Sequence, residues 1–440
     1  MEKLIMDCQK NIPPLLLQLI FVLFFLITSS TISCFAREIH QVQSKKKLLI
    51  LTSKGGYGHM AATDTLESIL SPDYNIQSVK PLEEILHSVD FVKKISGRRL
   101  DSEQFYNLVL QKGWTNFLNF SCRYVSPHLI AMNNRSMERL FTSYFQKTKP
   151  DLVISVMPII NLPASNAAHT CKIPYLMITL DYDLTMWKLG MKKAKHKNIV
   201  ITAADYYTQK TYLSSGFSAN TKNFHPIGVP IRKTFFEPKD AHAIRKDWNI
   251  PDDKPVVMLL MGGAGSGQSY SYFKRLSQFP KPLHILVCTG RNTRVAEKIS
   301  RFARKPWVSY TNVPFTLKIS DLMSVSQLLI TKPGPGTVTE AMVMKVPVLL
   351  DRTATPIFWE RKVFDFAKRH GIGTEIRSLS KLNELVDQML FDKANHTRIK
   401  KAFAITPAYC FDEKIKKIVE QLCSNTAAQK RSWKRSVEKK

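Results

Sequence analysis

From Lys47 onward, short unbroken apolar runs alternate with longer segments whose apolar residues recur at helical spacing. Residues 47–52 (KLLILT), 151–156 (DLVISV), 174–181 (PYLMITLD) and 198–203 (NIVITA) are of the first kind. A run that is apolar on both alternating faces predicts a strand covered on both sides, as parallel sheets are. The amphipathic stretches between them supply the crossover helices, so this half reads as doubly wound α/β. The pattern pauses over 226–254, where Pro226, Pro230, Pro238 and Pro251 stand among many charges. Such a stretch reads as an interdomain connection. A second α/β series follows at 256–261 (VVMLLM), 283–289 (LHILVCT), 327–331 (QLLIT) and 346–351 (VPVLLD). The expected layout is an α/β domain at 46–232, a linker at 233–254, and a second α/β domain at 255–425 that includes a terminal helix. A basic, disordered tail is expected at 426–440. In such sheets ligands bind beyond the carboxyl ends of the strands, so the motifs at those ends carry the chemistry.

Charge adds a partner class. The 64 basic residues outnumber the 35 acidic ones, for a net charge of +29, which suits an anionic surface of nucleic acid or acidic lipid. No RNA- or DNA-binding motif accompanies the charge, so nucleic acid is not expected. The seven cysteines are odd in number, scattered, and lack any C-x-x-C pair, which argues against a disulfide framework or a zinc site.

Residues 15–27 are apolar apart from Gln18, and 28–36 carry no charge. Together they are about long enough to cross a bilayer. One reading is a signal peptide cleaved near Ala36; the other is a retained signal-anchor within residues 1–45. Lys3 and Lys10 precede the stretch, whereas Arg37, Lys45, Lys46 and Lys47 follow it. That excess of basic residues on the second side places the body of an anchored protein in the cytoplasm. Lys93, Lys94, Arg98 and Arg99 ahead of Phe105, Tyr106, Trp114 and Phe117 fit either an anionic membrane surface or a solvated helix face.

Three glycine-rich loops each follow a predicted strand. Gly55-Gly56-Tyr57-Gly58-His59 lacks both the dinucleotide G-x-G-x-x-G spacing and the P-loop ending. It reads either as a tight turn or as a close approach to ligand at a helix N-terminus, with His59 as a general base. The run 262–267 (GGAGSG) is a second backbone-rich anion cradle or a flexible loop. The third, 332–341 (KPGPGTVTEA), opens a helix near Thr337 and puts Glu340 in its first turn. A carboxylate there accepts two hydroxyl hydrogen bonds, which suits a ribose, or simply favours the helix dipole. Asp181-Tyr182-Asp183 has the spacing of a metal-binding Asp-x-Asp but follows a strand of the first domain, away from the second-domain loops.

The ordered set GGYGH at 55–59, IGVPIR at 227–232, LMGGAG at 260–265, CTGRN at 288–292 and ITKPGPGTVTEA at 330–341 resembles the monogalactosyldiacylglycerol synthases and the bacterial processive diacylglycerol glucosyltransferases. A more distant likeness is to the lipid II-forming N-acetylglucosaminyltransferase. The resemblance covers roughly residues 48–373 and implies a GT-B fold: two Rossmann-like domains facing a cleft, with a UDP-sugar donor in the second and a lipid acceptor, diacylglycerol, in the first. It implies an inverting hexosyl transfer without metal or other cofactor. By the family pattern Glu340 holds the ribose. Gly262, Gly263, Gly334, Gly336 and Thr337 line the diphosphate, Arg232 offsets its charge, and the backbone of Val313 meets the base. His59 activates the acceptor hydroxyl, with Asp181 as a secondary catalytic candidate. One segment departs from the pattern. Where the family carries G-Q-E-x-x-N to read the sugar, this chain has Phe358-Trp359-Glu360-Arg361-Lys362-Val363, keeping only Glu360. That change bears on the sugar and on turnover, so a non-catalytic nucleotide- or lipid-binding relative is one alternative; a transferase acting on a polyprenyl or sterol acceptor is another.

Overall fold

The buried apolar runs form two six-stranded sheets, parallel throughout. In the computed structural model the described residues are 45–97, 99–196, 198–214, 223–262, 266–406 and 408–437. The expected N-terminal anchor, Arg98 and Gly263 lie outside them. The first sheet contains β1 (Lys47–Leu51), β2 (Asn75–Val79), β3 (Leu152–Ser155), β4 (Tyr175–Ile178), β5 (Val200–Ala203) and β6 (Phe224–Pro226), in the order β2-β1-β3-β4-β5-β6. The second contains β7 (Val256–Leu260), β8 (Leu283–Gly290), β9 (Val308–Pro314), β10 (Leu328–Thr331), β11 (Val348–Asp351) and β12 (Gly373–Ile376), in the order β12-β11-β10-β7-β8-β9.

Strand alternation assigns the two faces of the first sheet. Leu48 and Ile50 of β1 enter one core with Leu66 and Ile69 of helix α1 (Tyr57–Leu70). Leu49 and Leu51 enter the opposite core. That core also holds Phe141 and Phe145 of α3 (Ser126–Thr148) and Ala164 and Ala167 of α4 (Asn161–Thr170). Between β2 and β3 the chain makes a helical excursion that includes α2 (Ser102–Gln111), whose N-terminus is fixed by a capping box of Asp101 and Gln104. Two helices of the second half bear on the site: α5 (Pro335–Val343) and α6 (Arg361–Arg369).

Two expected boundaries move. The terminal helix, α7 (Phe411–Val437), does not join the second sheet: Phe411, Ile415, Ile418 and Val419 pack with Leu48, Ile50 and Leu66 on the first. An amphipathic pattern states which face of a helix is apolar but not which sheet it covers. The supposed linker is part of the second half, since Phe235 and Ile250 are buried with the β7 and β8 side chains. The hydroxyl of Tyr409 ties the return crossing, accepting from Ile231 N at 2.9 Å and donating to Val229 O at 3.0 Å. The backbone of α7 continues through Val437, where a disordered tail was expected. Among the described residues no helix is long and apolar enough to cross a membrane.

Candidate active site

Each sheet has a switch point, where the strand order reverses and a crevice opens beyond the strand ends. In the first sheet it lies between β1 and β3, and in the second between β7 and β10. The glycine-rich loops leave the sheets at these points.

At the first switch point Gly56 adopts φ +80°, a conformation that glycine enters without strain. The loop is held from α2. Ser53 Oγ donates to Glu103 Oε1 at 2.5 Å, Lys54 N donates to the same oxygen at 3.0 Å, and Gly56 N donates to Asn107 Oδ1 at 3.2 Å. These amides therefore serve a protein scaffold rather than an anion cradle. What the loop positions is His59, at the start of α1. Its Nδ1 lies 2.7 Å from the carbonyl oxygen of Val156, just past β3. A carbonyl only accepts, so Nδ1 carries the proton and the lone pair of the neutral ring sits on Nε2. Burial lowers the pKa of this imidazole, and the bond to Val156 opposes that shift. The neutral, basic form therefore predominates at pH 7.

At the second switch point Gly262 has φ +90°. A β-carbon there would meet Lys332 Cε at 3.1 Å and Nζ at 3.4 Å, so the glycine makes room for a lysine that leaves the end of β10. Beyond Lys332, Gly334 caps α5 without a side-chain bond, and Pro335 takes the first helical position. The amides of Gly336 and Thr337 open the helix, a backbone arrangement suited to anions. A β-carbon on Gly336 would meet nothing within 4 Å, so no protein neighbour requires glycine there. One turn on, Glu340 Oε1 accepts from Arg232 at 3.0 Å. Burial raises the Glu340 pKa, and Arg232 counters it. The Nε of Arg232 is buried without a hydrogen-bond partner. Arg232, read in the sequence as a phosphate partner, is thus paired with the ribose candidate itself. Asp64 of α1 feels the charge of Arg232, which links the His59 helix electrostatically to the Glu340 pair. Val313 is fully buried at the end of β9, and its carbonyl accepts from Thr289 Oγ1 at 3.3 Å. Nearby, Arg291 lies over the rings of both Tyr57 and Phe315, joining the first loop to the second half.

The two halves also meet around Asp181 and Tyr182. Its Oδ2 accepts from Trp187 Nε1 at 2.7 Å. Burial pushes its pKa up to about 7 against that hydrogen bond, with Glu360 and Asp183 adding to the rise. Glu360 is likewise raised by burial and opposed by Lys332. Asp181 therefore stands in the field of a second-half carboxylate, contrary to the expectation that the Asp-Tyr-Asp segment lies away from the second-domain loops. Asn119 clamps the Glu360 loop from the first half, donating to Pro356 O at 3.0 Å and accepting from Phe358 N at 2.9 Å. Tyr182 bonds Thr339 of α5 at 2.7 Å and stacks on Phe366 of α6.

Sequence reasoning gathered His59, Asp181, Arg232, Gly262, Glu340 and Glu360, which the fold distributes along one interface between the halves. It passed over Lys332 as a site residue. The signal was its position directly after a strand and before the glycine run. It also passed over Asn119 and Tyr182, whose partners lie more than a hundred residues away and leave no local mark. Of the departing residues, Trp359 packs against the cluster of Val109, Leu118 and Ile357, and Val363 is fully buried in the second core. Among the described residues no group of three or more His, Cys, Asp or Glu side chains is placed to hold a metal ion.

These features define the GT-B fold, two Rossmann-like halves with glycine-rich loops at their switch points. Over 86% of its length the chain superposes on 99% of the crystallised Acinetobacter baumannii MurG, with a TM-score of 0.53 at 14% identity. The chain is a sequence relative of the diacylglycerol glycosyltransferases. It is 24% identical over 371 residues to the processive diacylglycerol beta-glucosyltransferase of Bacillus subtilis, covering 82% of this chain and 91% of that protein. It is also 24% identical over 390 residues to the chloroplastic monogalactosyldiacylglycerol synthase of Spinacia oleracea, covering 81% and 68%. No family model matches.

Proposed function

We propose that this protein transfers a hexose from a UDP-sugar to the free hydroxyl of diacylglycerol, with inversion at the sugar carbon. The reading rests above all on Asp181 standing in the field of Glu360, itself in the field of Lys332, beside the Tyr182–Thr339 bond, because this brings an acceptor-side base and a donor-side loop together. Nε2 of His59 takes the hydroxyl proton as the oxygen attacks. Asp181 is the competing base, and the two differ in where they titrate. Charge that builds on the departing diphosphate falls on the amides of Gly336 and Thr337 and on the ammonium of Lys332, fixed groups that need little reorganisation. Glu340 binds the ribose, Gly334 lets the diphosphate approach closely, Gly262 leaves room for Lys332 beside it, and the strand end at Val313 receives the base. Glu360 contacts the sugar. With Trp359 and Val363 committed to packing, the usual polar sugar readers at these two positions are missing, which favours loose discrimination between hexoses.

The helical excursion after β2 exposes Phe91, Ile95, Trp114, Phe117 and Phe120, with Lys93 and Lys94 among them. Apolar rings beside ammonium groups suit an anionic lipid surface, where a greasy acceptor resides. A body on the cytoplasmic side of that surface meets nucleotide sugars directly.

The test is incubation of the full-length protein with diacylglycerol vesicles and, separately, labelled UDP-glucose and UDP-galactose, followed by lipid chromatography. Labelled monohexosyl diacylglycerol is the expected product. UDP binding without transfer from any sugar would instead mark a non-catalytic relative.

A further inference from the structure

Two residues beyond Asp181 the halves line an open-sided cavity of about 360 Å3 that the reaction above does not use. Arg123 and Asp183 line it from the first half, and Arg352, Arg361, Lys362 and Asp365 from the second. Its four cations outnumber its two carboxylates, and two of the four have carboxylate partners. Arg352 pairs with Glu375, which it shares with Arg377, and Lys362 lies 3.3 Å from Asp365. Asp183 accepts from Thr185 N at 2.8 Å. Among the described residues, Arg123 and Arg361 have no carboxylate within ion-pair distance. Two guanidinium groups thus face one cavity from opposite halves, and their mutual repulsion works against closure unless an anion lies between them. The wall carrying Arg361 is firm, because the backbone of Phe358 is held by Asn119.

We propose that this cavity is a phosphate-binding site, in which Arg123 and Arg361 grip one phosphoryl group from the two halves and so favour the closed arrangement. Guanidinium forks match phosphate oxygens in pairs, which ammonium groups do not. The phosphoryl group is either that of a lipid headgroup or free phosphate. Phe120, Tyr124 and Val125, exposed beside Arg123, lie where a headgroup would arrive.

The proposal stands apart from the identity of donor and acceptor, and its test needs no sugar transfer. Thermal unfolding of the full-length protein is followed against rising inorganic phosphate in detergent. A second series uses phosphatidylcholine vesicles with and without an anionic phospholipid. The variants are Arg123→Gln/Arg361→Gln and, as a control for diffuse surface attraction, Lys93→Gln/Lys94→Gln. For the wild type, Tm rises with at least one probe, and the control keeps a saturable rise. In the arginine pair the apparent affinity falls by about tenfold or more, as expected for loss of charge-assisted bonds. A rise with anionic vesicles alone assigns a headgroup, and saturation by inorganic phosphate assigns free phosphate. Equal shifts in wild type and the arginine pair, or none in the wild type, overturn the proposal. Arg361→Gln alone, measured the same way, serves should the pair not fold.

Discussion

Substituting alanine for Gly262 tests whether that glycine exists to position Lys332. At φ +90° an L-residue is strained, and the usual toll for such a conformation is about 1–3 kcal/mol. The new methyl would also press on Lys332 Cε at 3.1 Å, inside the ordinary carbon contact of about 3.5–4.0 Å. A lysine methylene yields by a few tenths of an ångström, so crowding adds little to the instability but displaces the ammonium. A full ångström of misplacement costs about a hundredfold in rate, and this smaller shift predicts a loss of roughly tenfold in kcat. Urea unfolding and transfer at saturating donor are measured for Gly262→Ala, Lys332→Ala and the double variant. The strain should persist in the Lys332→Ala background, with the 1–3 kcal/mol loss unchanged. The rate loss should vanish there, because no ammonium remains to be moved. A full tenfold drop on adding Gly262→Ala to Lys332→Ala would refute the reasoning and assign the glycine to direct contact with the donor.

Other substitutions address separate parts of the site and fold. His59→Ala should lower kcat by about 10²–10⁴-fold with unfolding unchanged within error, measured by initial rates. Because burial depresses its pKa, His59 as base gives an acid limb in kcat/KM below the ordinary imidazole value of about 6.5, whereas Asp181 as base gives a limb near pH 7. Asp181 also bears on stability. Its folded pKa of about 7 lies above the unfolded value, so the folded chain keeps a proton that the unfolded chain releases. Stability from this group is full at low pH and lost as pH rises towards 7, and Asp181→Asn should remove that slope in urea titrations. Phe411→Ala should destabilise the protein by about 3–5 kcal/mol through a cavity under the first sheet, read by urea unfolding.

The periodicity of the chain made the four inner strands of each sheet legible, because strands buried on two faces leave unbroken apolar runs such as VVMLL, whereas the edge strands β2, β6, β9 and β12 carry no such run and were not read. The loops were legible too, since glycine and proline mark the points where the backbone leaves a sheet. What pattern could not supply was pairing at a distance. Glu103 and Asn107 hold the first glycine loop, yet nothing around either residue announces an acceptor for backbone amides fifty positions earlier. The Arg232–Glu340 pair and the Asn119 clamp are equally nonlocal. Trp359 reads as a lost sugar contact in sequence and as a packed side chain in space; both descriptions apply, and only the second explains why a large ring is tolerated.

The return of α7 to the first sheet also orders events in time. While the chain is being made, β1 and β3 emerge before the second half, but the helix that completes the cover over Leu48 and Ile50 emerges only after it. Until then that face of the sheet is covered only in part, by α1, and the rest is a surface for chaperones or for aggregation. The second half, whose core is drawn from residues 229–403 apart from Tyr182, can mature first and wait. Termination near residue 405 would therefore injure the half that was made first.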